Sequence, residues 1–155
     1  MAWLAKVITV SDSVAAGTRD DLSGPAVAER LAAATFEVVE TTVCPDGIEA
    51  VAGALQAACA DFAGLVVTTG GTGFGPRDQT PEGTLAVLDR EAQGLAEGMR
   101  SVNPLGRLSR ARAGTVGQVL VLNLPGSRSG AVECLDAVLD VVPHALDLLV
   151  GGRPH

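Results

Sequence analysis

Val66-Val67-Thr68-Thr69-Gly70-Gly71-Thr72-Gly73-Phe74-Gly75-Pro76-Arg77-Asp78-Gln79-Thr80-Pro81-Glu82 is the stretch on which the reading of this chain turns. It begins as a β-branched apolar run, which reads as a buried strand. It then breaks into glycines, which permit positive φ and a close approach of backbone to ligand. Thr80 is predicted as a helix N-cap, with Pro81 at the first helical position. The order is strand, anion-ready loop, helix, with one cation (Arg77) and one carboxylate (Asp78) in the loop. That arrangement suits phosphate handled with a metal ion; the other reading is a glycine-rich turn carrying a surface ion pair. Two familiar phosphate loops are excluded. A Walker loop needs Gly-Lys-Ser/Thr after its glycines, and this segment has no lysine. A dinucleotide fingerprint needs a third glycine where Pro76 stands.

Outward from this segment, apolar runs alternate with helical stripes. Residues 4–10, a run holding Phe36, Val38 and Val43, residues 64–69 and residues 116–124 read as strands. Residues 11–23 read as a loop, with Ser23 capping a helix over 24–34. Asp46 and Glu49 have capping-box spacing before a stripe of Ile48, Val51, Leu55 and Phe62. Residues 81–90 read as a helix, and Leu95, Met99 and Val102 continue the spacing until Pro104. Residues 105–113 look helical and basic, and a long stripe from Val132 to Leu149 carries a possible kink at Pro143. The alternation predicts one domain over residues 1–155, three-layer α/β/α with a mostly parallel sheet. Ligands of such sheets bind beyond the carboxyl ends of strands. The loops at Ser11, Asp46, Gly70 and Pro125 all follow strands and should therefore share one edge.

Composition narrows the function. The 155 residues are 47% hydrophobic but only 3% aromatic, so the core must be mostly Ala, Val and Leu. A net charge of −7 disfavours generic nucleic-acid binding, which needs a basic stripe. No apolar run approaches the ~20 residues that span a bilayer. A secretory leader is not expected, because the first residues carry only Lys6 and no long apolar region. Cys44, Cys59 and Cys134 lack CxxC spacing, which predicts free thiols in a reducing cytoplasm and neither disulfide nor zinc site. His144 is expected to pack within the last helical stripe, and His155 is the final residue.

Gly-Gly-Thr-Gly, three residues, Arg-Asp, one residue, Thr-Pro-Glu resembles the signature of the Mog/MoaB family of molybdenum cofactor biosynthesis. Three further segments match that family in order: Ser11-Asp12 with Gly17 and Asp21-Leu22-Ser23-Gly24, then Cys44-Pro45-Asp46, then Leu122-Asn123-Leu124-Pro125-Gly126-Ser127. The resemblance extends from about Lys6 to about Leu149. It implies a molybdopterin-binding-like fold and transfer of an adenylyl group from ATP–Mg²⁺ to the terminal phosphate of molybdopterin, releasing pyrophosphate. Asp46 and Asp78 are then the catalytic and Mg²⁺-holding carboxylates. On the residues alone, Asp46 reads equally as a helix cap and Asp78 as the partner of Arg77.

The resemblance also places molybdopterin against Gly70, Gly71, Thr72, Gly73 and Thr80, and matches Ser109-Arg110 to a pair near the substrate pocket. Backbone amides of the four loop residues can form an anion nest. Arg77 contacts phosphate or only buttresses the loop, and Ser109-Arg110 could equally be the solvated side of a basic helix with Arg107 and Arg112. Ser11, Asp12, Pro125, Gly126 and Ser127 fall on the nucleotide side. The family implies a homotrimer, or a hexamer, and a downstream molybdenum insertion protein as receiver of the product. Two positions depart from the pattern: Ser127-Arg128-Ser129-Gly130 follows Pro-Gly without the frequent proline, and Gly47 replaces a frequent acid after Asp46. The competing functions are a silent molybdopterin carrier or regulator, a pyrophosphatase or deamidase-linked relative, and an oligomeric assembly component.

Overall fold

The computed structural model describes residues 2–152, so His155 lies outside it. Its centre is a six-stranded sheet in the order β2-β1-β3-β6-β5-β4. Four strands run parallel: β1 (Trp3–Val10), β2 (Phe36–Cys44), β3 (Gly64–Thr69) and β6 (Val119–Leu124). All six positions of β3 and all six of β6 are buried, as befits central strands covered on both faces. Alternate residues feed two cores. Val7, Leu65, Val67, Leu120 and Leu122 face one layer, packed with Val27 and Leu31 of α2 (Ser23–Ala32), Met99 of α5 (Gln93–Arg100), Leu135 of α6 (Arg128–Val138) and Leu146 of α7 (Val142–Leu149). Ile8, Val66, Val119 and Val121 face the other, against Val51, Leu55 and Ala58 of α3 (Ile48–Cys59). The three-layer α/β fold of the sequence reading is thus the observed one.

Several boundaries differ. The loop after β1 contains a short helix, α1 (Asp12–Ala15). The helix at Pro81 is only α4 (Thr80–Leu85), and the chain then forms the two-residue strand β4 (Arg90–Glu91) before α5. Residues 105–113 are not a helix. A 3₁₀ turn at Pro104–Leu108 gives way to extended chain and to β5 (Ala113–Val116), which turns through Gly117 into β6 as an antiparallel pair. The basic residues there supply no apolar stripe to bury, so the segment follows the sheet instead. The final stripe is two helices, since Pro143 lies in the first turn of α7, where its missing N–H costs nothing. His144 is exposed on that helix and does not pack in the core. Cys44 is buried, Cys59 and Cys134 are partly so, and all three are free thiols.

The hairpin has a consequence for the site. Because β5 runs against β6, the residues just before it lie at the carboxyl end of β6. Ser109, Arg110 and Arg112 therefore join the loops after β1, β2, β3 and β6 at one edge of the sheet, and Asn123 of β6 exchanges hydrogen bonds with Arg112.

Candidate active site

The edge is organised around the turn that ends β3. Gly70 has φ +96 and Gly71 φ +70, both in the region that favours glycine. A methyl on Gly70 would stand 2.3 Å from the Val10 carbonyl oxygen, so only glycine lets the ends of β1 and β3 close together. The Gly70 amide donates to Leu124 O at 2.9 Å, tying in β6. That amide is committed to the sheet and drops out of the expected anion nest. Thr80 does not cap its helix. It is fully buried, its hydroxyl donates to Gly70 O at 2.8 Å, and its amide donates to Gly71 O at 3.0 Å. The helix start is thereby stitched onto the turn. Ser23 is likewise no cap: its hydroxyl pairs with that of Thr69 at 2.8 Å, while Asp21 accepts from the Gly24 amide at 3.0 Å and from the Thr9 hydroxyl at 2.8 Å.

The acids form a second layer of organisation. Asp46 does not cap α3, whose cap position is Gly47. Instead Asp46 Oδ2 accepts from the Asp12 amide at 2.9 Å, and the Asp46 amide donates back to Asp12 Oδ1 at 3.0 Å. Arg77 spans the pair. It donates to both Asp12 oxygens, at 3.1 and 3.2 Å, and to the Asp46 carbonyl at 2.9 Å. Arg77 thus buttresses the loop through Asp12 rather than pairing with its neighbour Asp78. Ser11 caps α1, accepting from the Val14 amide at 3.3 Å.

Electrostatics separates these acids. The Arg77 guanidinium holds the Asp12 carboxyl below its ordinary value. Burial pushes Asp46 above its ordinary value, and the charges of Asp12 and Asp78 add to that rise. Asp78 Oδ2 accepts from the Gly75 amide at 2.9 Å. Asp46 and Asp78 line one cleft of about 490 Å³ with Gly70, Gly71, Gly126 and Ser127. Two neighbouring carboxylates in an open, polar cleft, one of them resisting ionisation, are suited to a divalent cation.

A second pocket, of about 200 Å³, lies on the other side of the Pro125–Ser127 loop. Ser109, Asn123 and Pro125 line it, and Ser127 reaches both spaces. Ser127 also caps α6, accepting from the Gly130 amide at 3.2 Å, so the departure from the family pattern still yields an ordered turn. Arg110 is directed at the Gly loop: Nε donates to Gly73 O at 2.8 Å, Nη2 to Asp78 O at 2.7 Å and Nη1 to Glu82, while its amide donates to Thr72 O at 2.8 Å. Every residue expected at the site lies at this edge.

Three residues to which the patterns assign no role also belong here. Arg19 and Arg128 flank the acidic cleft. Asn123 is fully buried, its amide nitrogen donating to the hydroxyls of Thr68 and Thr84 at 3.0 Å each. Asn123 lies in the quoted Leu122–Ser127 segment, and a polar amide inside an otherwise apolar strand is the physical signal for its role.

The family model described as "probable molybdopterin binding domain" matches residues 6–144. A protein from Helicobacter pylori strain J99 named molybdopterin adenylyltransferase is 36% identical, over 94% of this chain and 87% of its own. Among solved structures, the molybdopterin biosynthesis enzyme MoaB from Thermus thermophilus is 45% identical, with a TM-score of 0.90 and 98% of each chain covered. The molybdopterin biosynthesis Mog protein from Mycobacterium ulcerans is 42% identical, with a TM-score of 0.87 over 97% of this chain and 99% of that one.

Proposed function

The chain belongs to the molybdopterin-binding domain family of molybdenum cofactor biosynthesis proteins, and from that premise we propose that it is a molybdopterin adenylyltransferase, moving AMP from ATP to the terminal phosphate of molybdopterin with release of pyrophosphate. The observation that carries this reading is the meeting of Asp46 and Asp78 across one cleft beside the Gly70-Gly71 turn. The donor set fits Mg²⁺, which takes one or two protein carboxylates and completes its shell with water and phosphate oxygens. When bound, Mg²⁺ would neutralise and orient phosphate oxygens.

The rest of the work falls to the chain. Asp46 and Asp78 hold the metal side of the cleft, and the clasp of Asp12 and Arg77 keeps Asp46 in place. Gly71, Thr72 and Gly73 offer backbone to the pterin side, with Thr80 fixing their turn and Ser109 lining the neighbouring pocket. Ser11, Asp12, Pro125, Gly126 and Ser127 shape the nucleotide side. The nucleophile is the substrate's own phosphate, so catalysis reduces to positioning and charge neutralisation, with no side-chain nucleophile.

The reading extends to one domain over residues 1–155, a homotrimer with a hexamer as the variant assembly, a cytoplasmic location favoured by the three free thiols, and delivery of the product to a molybdenum insertion protein. Pyrophosphate release from ATP–Mg²⁺ tests the activity. Release that requires molybdopterin and disappears in Asp78→Asn supports it; wild-type protein that binds molybdopterin without any release is a carrier or regulator instead.

A further inference from the structure

Arg110 matches a residue expected to touch substrate, yet its guanidinium is spent on the protein. Three donor directions go to three acceptors, Gly73 O, Asp78 O and Glu82 Oε2, and the Arg110 amide adds Thr72 O. Two of those carbonyls bracket the segment from Gly73 to Asp78, which carries the exposed Phe74 at its tip. Within that segment the Asp78 carboxylate folds back onto the Gly75 amide, and its Oδ2 lies 2.8 Å from where a Gly75 Cβ would be. A planar, rigid fork is the one side chain able to set the spacing of two carbonyls and a carboxylate at once.

Glu82 completes the device. One oxygen accepts from Arg110, while the other is buried with no hydrogen-bond partner among the described residues. The Glu82 side chain is 40% exposed, and the Arg110 hydrogen bond holds its carboxyl below the ordinary value, so it stays charged against the guanidinium.

We propose that Arg110, oriented by Glu82, is a positioning residue that fixes the Gly73–Asp78 loop and so aims the Asp78 carboxylate into the cleft, rather than a contact for molybdopterin. This rests on the adenylyltransferase reading for its kinetic consequences but not for its structural one.

The test uses Arg110→Lys, Arg110→Ala and Glu82→Gln in the full chain. Lysine keeps the charge and loses the fork; glutamine keeps the reach and loses the charge. Both arginine variants should lower kcat and raise the Mg²⁺ concentration for half-maximal rate by about 10- to 100-fold, with the molybdopterin Kd changed less than about twofold. Glu82→Gln should move both quantities in the same direction by less. Amide hydrogen exchange at Gly75 should accelerate in Arg110→Lys. An unchanged Mg²⁺ requirement with a molybdopterin Kd weakened about tenfold would overturn the proposal and restore a substrate contact. If wild-type protein transfers no adenylyl group, the activity reading falls, and the exchange measurement still decides this one: faster Gly75 exchange supports it and unchanged exchange overturns it.

Discussion

Asn123→Ala removes the amide that joins four elements of the site. Its nitrogen donates to Thr68 on β3 and Thr84 on α4, and its oxygen accepts from the Arg112 amide ahead of β5. The side chain is fully buried, so water does not replace these partners. At about 1 kcal/mol net for each of three hydrogen bonds, the loss is about 3 kcal/mol. A domain with stability on the order of 10 kcal/mol would remain folded, which makes the loss measurable. Urea unfolding should therefore show a lower midpoint with an unchanged slope. The Thr84→Val variant closes a double-mutant cycle, and the coupling should be about 1 kcal/mol. A loss below about 1 kcal/mol together with zero coupling would refute the view that this amide locks α4 and the β5 approach to the central strands.

Other outcomes follow from the same geometry. Asp46→Asn should leave stability at neutral pH equal or higher, because burial lifts the folded-state pKa of Asp46 and its charge weakens the fold above that value. The wild type should gain relative stability as pH falls through the raised value, and urea titrations across that range should show the gain absent from the variant; a variant weaker at neutral pH contradicts this. Gly71→Ala would place a methyl 2.3 Å from Thr80 Oγ1 and 3.0 Å from Asp46 Oδ1 in a left-handed conformation, so it should abolish turnover and cost about 1–3 kcal/mol or more. Gly17→Ala, at φ +77 with nothing within 4 Å among the described residues, should carry the backbone strain alone and keep activity, as melting and turnover measurements would register. The Cys44 and Cys59 thiols, pushed up to about 11 by burial, should alkylate more than about tenfold slower in the native protein than in urea.

What the sequence made legible was the sheet and the edge it exposes. Val7-Ile8, Val66-Val67 and Val121-Leu122 alternate between the two cores, and the loop after each parallel strand lies where topology requires. Local capping rules failed at the site itself. Thr80, Ser23 and Asp46 each have the chemistry of a cap, but Thr80 is drawn back to Gly70 O at the start of its own loop, and Ser23 and Asp46 to partners from other strands' ends, Thr69 and the Asp12 amide. Tertiary hydrogen bonds at a converging edge outcompete local ones, and no single-segment pattern registers them. The β5–β6 hairpin was hidden for a related reason. Gly114 weakens its strand signal, and Arg107, Arg110 and Arg112 read as a solvated helix until the acceptors of Arg110 are known. The apolar stripe from Val132 to Leu149 carries helical periodicity throughout, so only the position of Pro143 in a first turn separates α6 from α7.

The most direct test follows the adenylyl group. ATP labelled at its α-phosphate, with Mg²⁺ and molybdopterin, is incubated with wild-type protein and with Asp78→Asn, and the pterin product is separated and counted. Adenylyl transfer should put label on molybdopterin with the wild type and none with the variant. Label that stays in ATP while molybdopterin binds tightly to the wild type would contradict it.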